Sequence, residues 1–381
     1  MLGRARTWLA ARAPGAAHME DVIVYELSRL GFGPFFERQL EPAGGDELIV
    51  ARVAAEHRGA YEVWAATGAG RARLAGRLRL ELADAGAPGV GDWVVVRDAP
   101  GPEHTTIIER VLARRTVFLR GAAGREARAQ VVAANVDLVF AVCGLDADFN
   151  LRRIERYLAR IWASGAEPRV LLNKADVCDD LAARVAEVER HCLAVPVHVT
   201  SALREEGLEP VRACIRDGMT AALVGSSGAG KSTLVNALLG EPRLRTGEVR
   251  ASDGRGCHVT THRQLVLLPG GGLLLDTPGM RELELLDEEG IDAVFGDVAE
   301  LAGACRFRDC RHETEPGCAV REAVEAGGLE AERYLHFRKL EREAQANELR
   351  HDEHRRRQAE RVWGQLSDEV AQLRKWKGGK P

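Results

Sequence analysis

The stretch GSSGAGKS at residues 225–232 is where this chain most plainly could do chemistry. Gly225, Gly230, Lys231 and Ser232 meet the spacing G-x-x-x-x-G-K-S, with Ser226, Ser227, Gly228 and Ala229 between them and Thr233 directly after. Glycines at these positions let successive backbone N–H groups turn inward around phosphate oxygens. A helix opening near Lys231 would aim its positive dipole end at the same oxygens. The lysine ammonium would reach the β- and γ-phosphates, and the Ser232 hydroxyl would ligate Mg²⁺. A chance glycine-rich turn would not lie between an apolar strand, TAALVG, and a helix-forming run, TLVNALLG.

A second apolar run ends in LLLDTPGM, which puts Asp276 at a strand end. An acid placed so, beside a phosphate loop, holds Mg²⁺, here through water, and Gly279 would offer its backbone N–H to the γ-phosphate. These parts specify a nucleoside triphosphate but no base. NKAD at 173–176 supplies the base. Asp176 can accept two hydrogen bonds from the ring N–H and exocyclic amine of guanine, a donor pair that adenine lacks. Asn173 would tie this loop to the phosphate loop, and the Lys174 stem would cover the base face. Thr200, Ser201 and Ala202, at the end of the next strand, would offer backbone N–H to the guanine O6. Leaving those polar groups unmatched penalises ATP. The expected ligands are GTP and GDP with Mg²⁺. A phosphate-loop kinase is the weaker reading, because NKAD would be idle and no phosphoacceptor site is evident.

The loop order is unusual, since the base-reading loop precedes the phosphate loop. A closed α/β site needs its loops adjacent in space, not in a given chain order. Cutting between the magnesium-aspartate segment and the base-reading segment, then joining the old ends, leaves every loop at a strand end. The expected arrangement is therefore a circularly permuted GTPase.

Cys305, Cys310, His312 and Cys318 follow the pattern C-x4-C-x-H-x5-C. Three thiolates and one imidazole make a closed tetrahedral set, the signature of one structural Zn²⁺ rather than a catalytic one. With no secretory signal in the sequence the compartment is expected to be reducing, which argues against disulfides. The other five of the eight cysteines are scattered singly and read as small buried hydrophobes.

The elements that must position these groups are legible in the texture of the chain. Its 381 residues suggest two or three domains, and a 45% hydrophobic content is ample for their cores. No apolar run approaches the about 20 residues that span a bilayer, so no membrane role is expected. A net charge of -4 excludes a uniformly basic protein but not a local basic face. Residues 1–18 (MLGRARTWLAARAPGAAH) read as a disordered, dispensable extension ahead of Met19. From 19 to 115, runs such as LIVARVAAEHRGAYEVWAA, GRARLAGRLRL and VGDWVVV read as short strands of a small barrel. From 116 to 285, VDLVFAVC, PRVLLNKAD, VPVHVTSA and TAALVG alternate with helical stretches such as FNLRRIERYLARIWASG, as in a three-layer α/β domain. From 286 to 381 the chain reads as helical and charged, with the cysteine cluster inside it and RRR at 355–357, read equally as a solvated helix face or as an RNA contact.

From about Met19 the chain resembles the RsgA family of bacterial GTPases that depend on the small ribosomal subunit. The resemblance is carried by VGDWVVV, AANVDLVFAV, DFNLRRIERYL, NKAD, GSSGAGKS, GCHVTTHRQL, PGGG, DTPGMRE and the cysteine cluster. It implies an OB-fold barrel, a circularly permuted GTPase domain and a C-terminal zinc-binding domain. It further implies binding to the small subunit and its rRNA during late maturation, alongside other assembly factors, by a cytoplasmic monomer. The alternative is an RNA-binding, GTP-dependent regulator with no ribosomal step. On the barrel, His57, Arg58, Tyr61, Trp64, Arg71, Arg73, Arg77 and Arg79 would form an RNA-binding face.

The switch segment departs from the family, which carries three threonines after a histidine where this chain reads His258-Val259-Thr260-Thr261. Thr260 or Thr261 would sense the γ-phosphate and Mg²⁺, with Thr260 the better match. Ras-like enzymes place a water-orienting glutamine just beyond DxxG. Met280 stands there, so turnover without a partner should be slow, and His258 is the candidate to position water.

Overall fold

Residues 25–40, 49–57, 59–120, 130–192, 195–241, 263–276 and 289–346 are described in the computed structural model. The extension 1–18, Arg58, Cys257, His258, Thr260, Thr261, Gly279, Met280 and the basic run 355–357 lie outside the described residues, as does the side chain of Asp276.

The first strands close on themselves. A short helix α1 (Pro34–Glu37) precedes β1 (Ile49–His57), β2 (Ala60–Ala65) and β3 (Gly68–Leu74); α2 (Gly76–Ala85), β4 (Trp93–Val96) and β5 (Thr105–Val111) follow. The order around the barrel is β1-β2-β3-β5-β4, with β4 pairing back onto β1 and only β3–β5 parallel. Such a five-stranded barrel, with a helix between the third and fourth strands, is an OB fold. Side chains alternate across each strand, so Ala51 and Val53 of β1 face the barrel core while Val50 and Ala54 face a second core outside it.

Half of GRARLAGRLRL departs from expectation. β3 ends at Leu74 and GRLRL opens α2 instead of continuing as strand. Leu78 and Leu82 are four apart, on one helical face, and both pack on the barrel core. Alternation at 74, 78 and 82 fits either period, and the barrel's need for a cap selects the helix.

A hairpin of β6 (Val117–Arg120) and β7 (Gln130–Ala134) leads into the α/β region. There β8 (Leu138–Gly144), α3 (Leu151–Ala163), β9 (Glu167–Asn173), α4 (Leu181–His191), β10 (Val197–Val199), α5 (Leu208–Cys214), β11 (Thr220–Gly225) and α6 (Lys231–Leu239) alternate, followed by the hairpin β12 (Gln264–Leu267) and β13 (Leu273–Asp276). The spatial order is β10-β9-β8-β11-β13-β12, parallel except for β12. The run LVFAVCG of β8 is buried throughout because both its faces are covered. Leu138, Phe140 and Val142 pack with Leu208 and Val211 of α5 and Leu234 of α6. Val139, Ala141 and Cys143 pack on the other face with Ile154, Leu158 and Ile161 of α3.

β12 also pairs with β1 through Ala55 and Gln264, and Arg263 lies 3.5 Å from Glu56. The barrel and the α/β sheet are thereby one hydrogen-bonded sheet. Arg52 fills the joint between them, donating to the carbonyls of Leu30, Gly91 and Asn135. Burial pulls its guanidinium down to about 10.

Beyond the sheet, α7 (Glu289–Val294), α8 (Gly296–Ala302), α9 (Ala319–Glu325) and a helical run at 331–346 continue the core on the α3 side through Ile291, Phe295, Phe337 and Leu340. Gly290 makes the α7–α3 contact possible, because a Cβ there would collide with the carbonyl of Ala159. No helix among the described residues is long and apolar enough to cross a membrane.

Candidate nucleotide site and metal centre

Parallel strands end on one side of a sheet, and that is where the ligand-binding loops of an open α/β sheet gather. β8, β9, β10, β11 and β13 all deliver their C-terminal ends to this edge. NKAD leaves β9, Thr200-Ser201-Ala202 follows β10, the phosphate loop leaves β11, and Asp276 ends β13. Chain order is irrelevant to this gathering, so the permuted sequence order costs the site nothing.

The loops are tied together by Asn173, which is 2% exposed. Its amide donates to the carbonyl of Ala229 at 2.9 Å, inside the phosphate loop. Its carbonyl oxygen accepts from the Thr200 hydroxyl at 3.2 Å and from Ala202 N–H at 3.0 Å. One side chain thus joins the three loops that the sequence separates. Asp176 accepts from the Ser201 hydroxyl at 2.5 Å. That bond holds the Asp176 carboxyl below its ordinary value and so favours the ionised form, the one able to accept hydrogen bonds from a ligand's N–H groups. Val177 and Leu203, just beyond, are exposed.

In the phosphate loop, Gly230 has φ 89 and caps the N-terminus of α6. A Cβ at Gly230 would collide with the Asn173 amide nitrogen. Lys231 Nζ donates to the carbonyls of Gly225 at 2.9 Å and Ser226 at 2.5 Å, which places the ammonium over the loop. Ser227 and Ser232 are exposed at the same mouth, and Gly228 and Thr233 are partly so.

Reasoning from sequence passed over two acids. Asp146 accepts from Lys174 Nζ at 2.6 Å, and Asp148 accepts from the Ser226 hydroxyl and from Arg153 at 2.6 Å. Both follow β8 directly in GLDAD, at the same sheet edge. Their position after a doubly buried strand was the signal that could have found them.

On the barrel the described residues expected to face RNA divide between the surface and the core. Arg71, Arg73, Arg77 and Arg79 are exposed, as is His57, although Arg77 pairs with Glu81 at 2.7 Å. Tyr61 and Trp64 are buried, contrary to expectation, at 6% and 9% exposure. Tyr61 belongs to the barrel core, and Trp64 stacks on Tyr25 with ring centroids 5.0 Å apart. Large rings on a two-sided strand bury more apolar area inside than they could on the surface.

At the far end, the ligand atoms of Cys305, Cys310, His312 and Cys318 lie within 4.8 Å of one another. His312 Nδ1 is 3.6 Å from the Cys305 sulfur and 3.4 Å from the Cys318 sulfur, and those sulfurs are 3.9 Å apart. A tetrahedral zinc with bonds of about 2.3 Å to sulfur and about 2.0 Å to nitrogen needs ligand spacings of about 3.5–3.8 Å. The cluster therefore fits that ion. Burial lowers His312, which favours the neutral, ligating imidazole. Burial raises the Cys310 thiol to about 11, so thiolates crowded here call for a cation.

Residues 111–286 match the family model of the RsgA GTPase. A relative from Opitutus terrae, described as small ribosomal subunit biogenesis GTPase RsgA, is 48% identical over 327 residues, covering 83% of this chain and 89% of its own. One of the same description from Syntrophotalea carbinolica is 40% identical over 360 residues, 92% of this chain and 95% of its own. Among solved structures, YjeQ from Thermotoga maritima superposes with a TM-score of 0.59 at 28% identity, over 78% of this chain and 99% of its own. YloQ, described as a circularly permuted GTPase, shares the fold with a TM-score of 0.58 over 80% of this chain and 98% of its own, at 23% identity. Identity of that order along nearly the whole length of the curated relatives means that the permuted loop order is shared with them as part of the entire chain, and the chain belongs to the RsgA family of GTP hydrolases.

Proposed function

We propose that this protein binds the small ribosomal subunit and hydrolyses GTP during late maturation of that subunit, slowly alone and faster on its partner. The observation that carries the reading is the Asn173 tie, which sets a guanine-reading loop against a phosphate loop at 2.9 Å in a chain whose relatives bear that description. The working parts are the barrel (19–115), the permuted GTPase unit (116–285) and the zinc-binding helical end (286–381). The expected partners are rRNA and other assembly factors, and the expected setting is the cytoplasm, as a monomer.

The residue roles follow the chemistry. Phosphate-loop N–H groups and Lys231 hold the phosphates, and Asp176, Ser201 and Ala202 read the base. Ser232, Thr260 and Asp276 would hold Mg²⁺, which when bound neutralises charge building on the phosphates. The Gly279 N–H would donate to the γ-phosphate. Met280 has no group able to orient water, so His258 would take that role when the subunit is bound. Cys305, Cys310, His312 and Cys318 would hold Zn²⁺, which when bound would support the fold of their own loop. In sequence the segment after Asp276 leads into the part of the chain that carries the Cys₃His set, so nucleotide state would bias the pose of that part.

GTPase assays with purified small subunits, large subunits and free RNA test the reading. Stimulation specific to small subunits is expected. Equal stimulation by the others overturns it in favour of a general RNA-binding regulator. His258→Ala should keep GTP and subunit binding yet lose stimulated turnover. Metal analysis should find one zinc per chain, and chelation should unfold 305–318 while sparing nucleotide binding.

A further inference from the structure

Asp146 uses both carboxylate oxygens. Oδ2 accepts from Lys174 Nζ at 2.6 Å, and Oδ1 accepts from the backbone N–H of Asp148 at 3.2 Å. The second bond fixes the aspartate against its own turn, so the first has a stationary anchor. Lys174 is held in a left-handed backbone, φ 65 and ψ 38, which non-glycine residues seldom adopt. Its stem runs over two glycines. A Cβ on Gly144 would lie 3.5 Å from Lys174 Cδ, and one on Gly230 would lie 4.0 Å from Cε. The stem therefore leaves NKAD, crosses the end of β8 and approaches the last glycine of the phosphate loop. The pair is about two-thirds buried, at 30% and 34% side-chain exposure, so water screens it only in part. Burial, the largest single influence, pulls the Asp146 carboxyl up, but the bond and charge of Lys174 together with backbone N–H donors, Asp148 among them, outweigh it and keep the group below its ordinary value.

An unpartnered lysine stem samples many rotamers, and extending it across a site costs side-chain entropy. A partner that pays this cost before the ligand arrives raises affinity by preorganisation. We propose that Asp146 is a positioning residue for the nucleotide base, holding Lys174 extended so that its methylene stem forms a wall against the purine face. Asp146 does not touch the ligand. This inference rests on reading NKAD as the base-recognition loop. A wall against the ring face reads no edge, so it supports every purine that Asp176 admits to the same degree.

The test is fluorescence titration with methylanthraniloyl-labelled GDP and IDP, inosine lacking the exocyclic amine. Asp146→Asn should weaken both by the same factor, about three- to tenfold, and leave the GDP-to-IDP ratio at the parent value. Lys174→Met keeps an apolar stem without the ammonium, and adding Asp146→Asn to it should cause no further loss. Asp146→Ser carries the same expectations should the amide variant fail to fold. Unchanged affinity, a shifted GDP-to-IDP ratio, or additive losses in the double variant overturns the proposal. Asp176→Asn, titrated alongside with xanthosine diphosphate, separates the two readings. A switch to xanthine there with no effect at Asp146 sinks only the positioning role. No effect at Asp176 sinks the base-reading loop itself.

Discussion

Arg333 donates to Glu155 across 2.6 Å, with side chains only 7% and 3% exposed. His336 Nδ1 lies 2.7 Å from the other Glu155 oxygen, and Asp297 accepts from the same guanidinium at 2.7 and 2.8 Å. Glu155 sits on α3, Asp297 on α8, and the other two on the helical run 331–346. The end of the chain that carries the Cys₃His cluster is thus clamped to the helix that flanks the nucleotide sheet. Glu155→Ala leaves Arg333 only partly compensated and should cost about 3 kcal/mol. Urea denaturation followed by circular dichroism measures it. A loss below about 0.5 kcal/mol would be that of a surface pair and would contradict this packing.

The phosphate loop offers a sharper substitution. Gly230→Ala places a methyl group against the Asn173 amide and demands φ 89 from an alanine. Strain of about 1–3 kcal/mol is expected, expressed as loss of GDP affinity by about tenfold or more. Calorimetric titration decides it. Affinity at the parent level would mean that the contact with Ala229 does not organise the site.

The barrel predicts two separable phenotypes. Arg71→Glu with Arg73→Glu should weaken RNA binding and flatten its salt dependence, because exposed charges act through released counterions. Trp64→Ala should instead cost about 3–5 kcal/mol of stability, since the ring is buried against Tyr25. Binding isotherms at several salt concentrations, beside thermal melts, separate the two. A Trp64→Ala protein of parent stability with lost RNA binding would restore the stacking role that burial denies it.

Cys192 ties stability to alkaline pH. Burial pushes its thiol up to about 12, against an ordinary value of 9.0. The folded state therefore keeps a proton that the unfolded state releases above pH 9. The resulting stabilisation is complete below that pH and is lost as pH rises toward 12, at up to about 1.4 kcal/mol per unit. Cys192→Ala should flatten this decline in denaturation curves taken between pH 8 and 10. Cys192 should also resist Ellman's reagent at pH 8 until the protein unfolds, and rapid labelling in the folded state would contradict its burial.

What the amino-acid sequence determined by itself is the chemistry that local spacing enforces. A phosphate loop must be written in consecutive residues, because its backbone amides converge only if glycines fall at set positions between a strand and a helix. Asp176 and the Cys305–Cys318 set are legible for the same reason, as are β8 and β11, whose largely apolar runs are buried throughout under cover on both faces. The tertiary structure alone decided what depends on distant partners. It selected helix over strand for GRLRL, because the barrel offered Leu78 and Leu82 one shared face. It took Tyr61 and Trp64 out of solvent, because their strand is covered by different cores on its two sides. It recruited Asp146 and Asp148, which carry no motif and acquire meaning only where β8 ends beside Lys174 and Ser226. And it brought Asn173 to Ala229 across 56 residues of chain, which no local spacing could specify, because adjacency at a sheet edge is set by strand order rather than by sequence order.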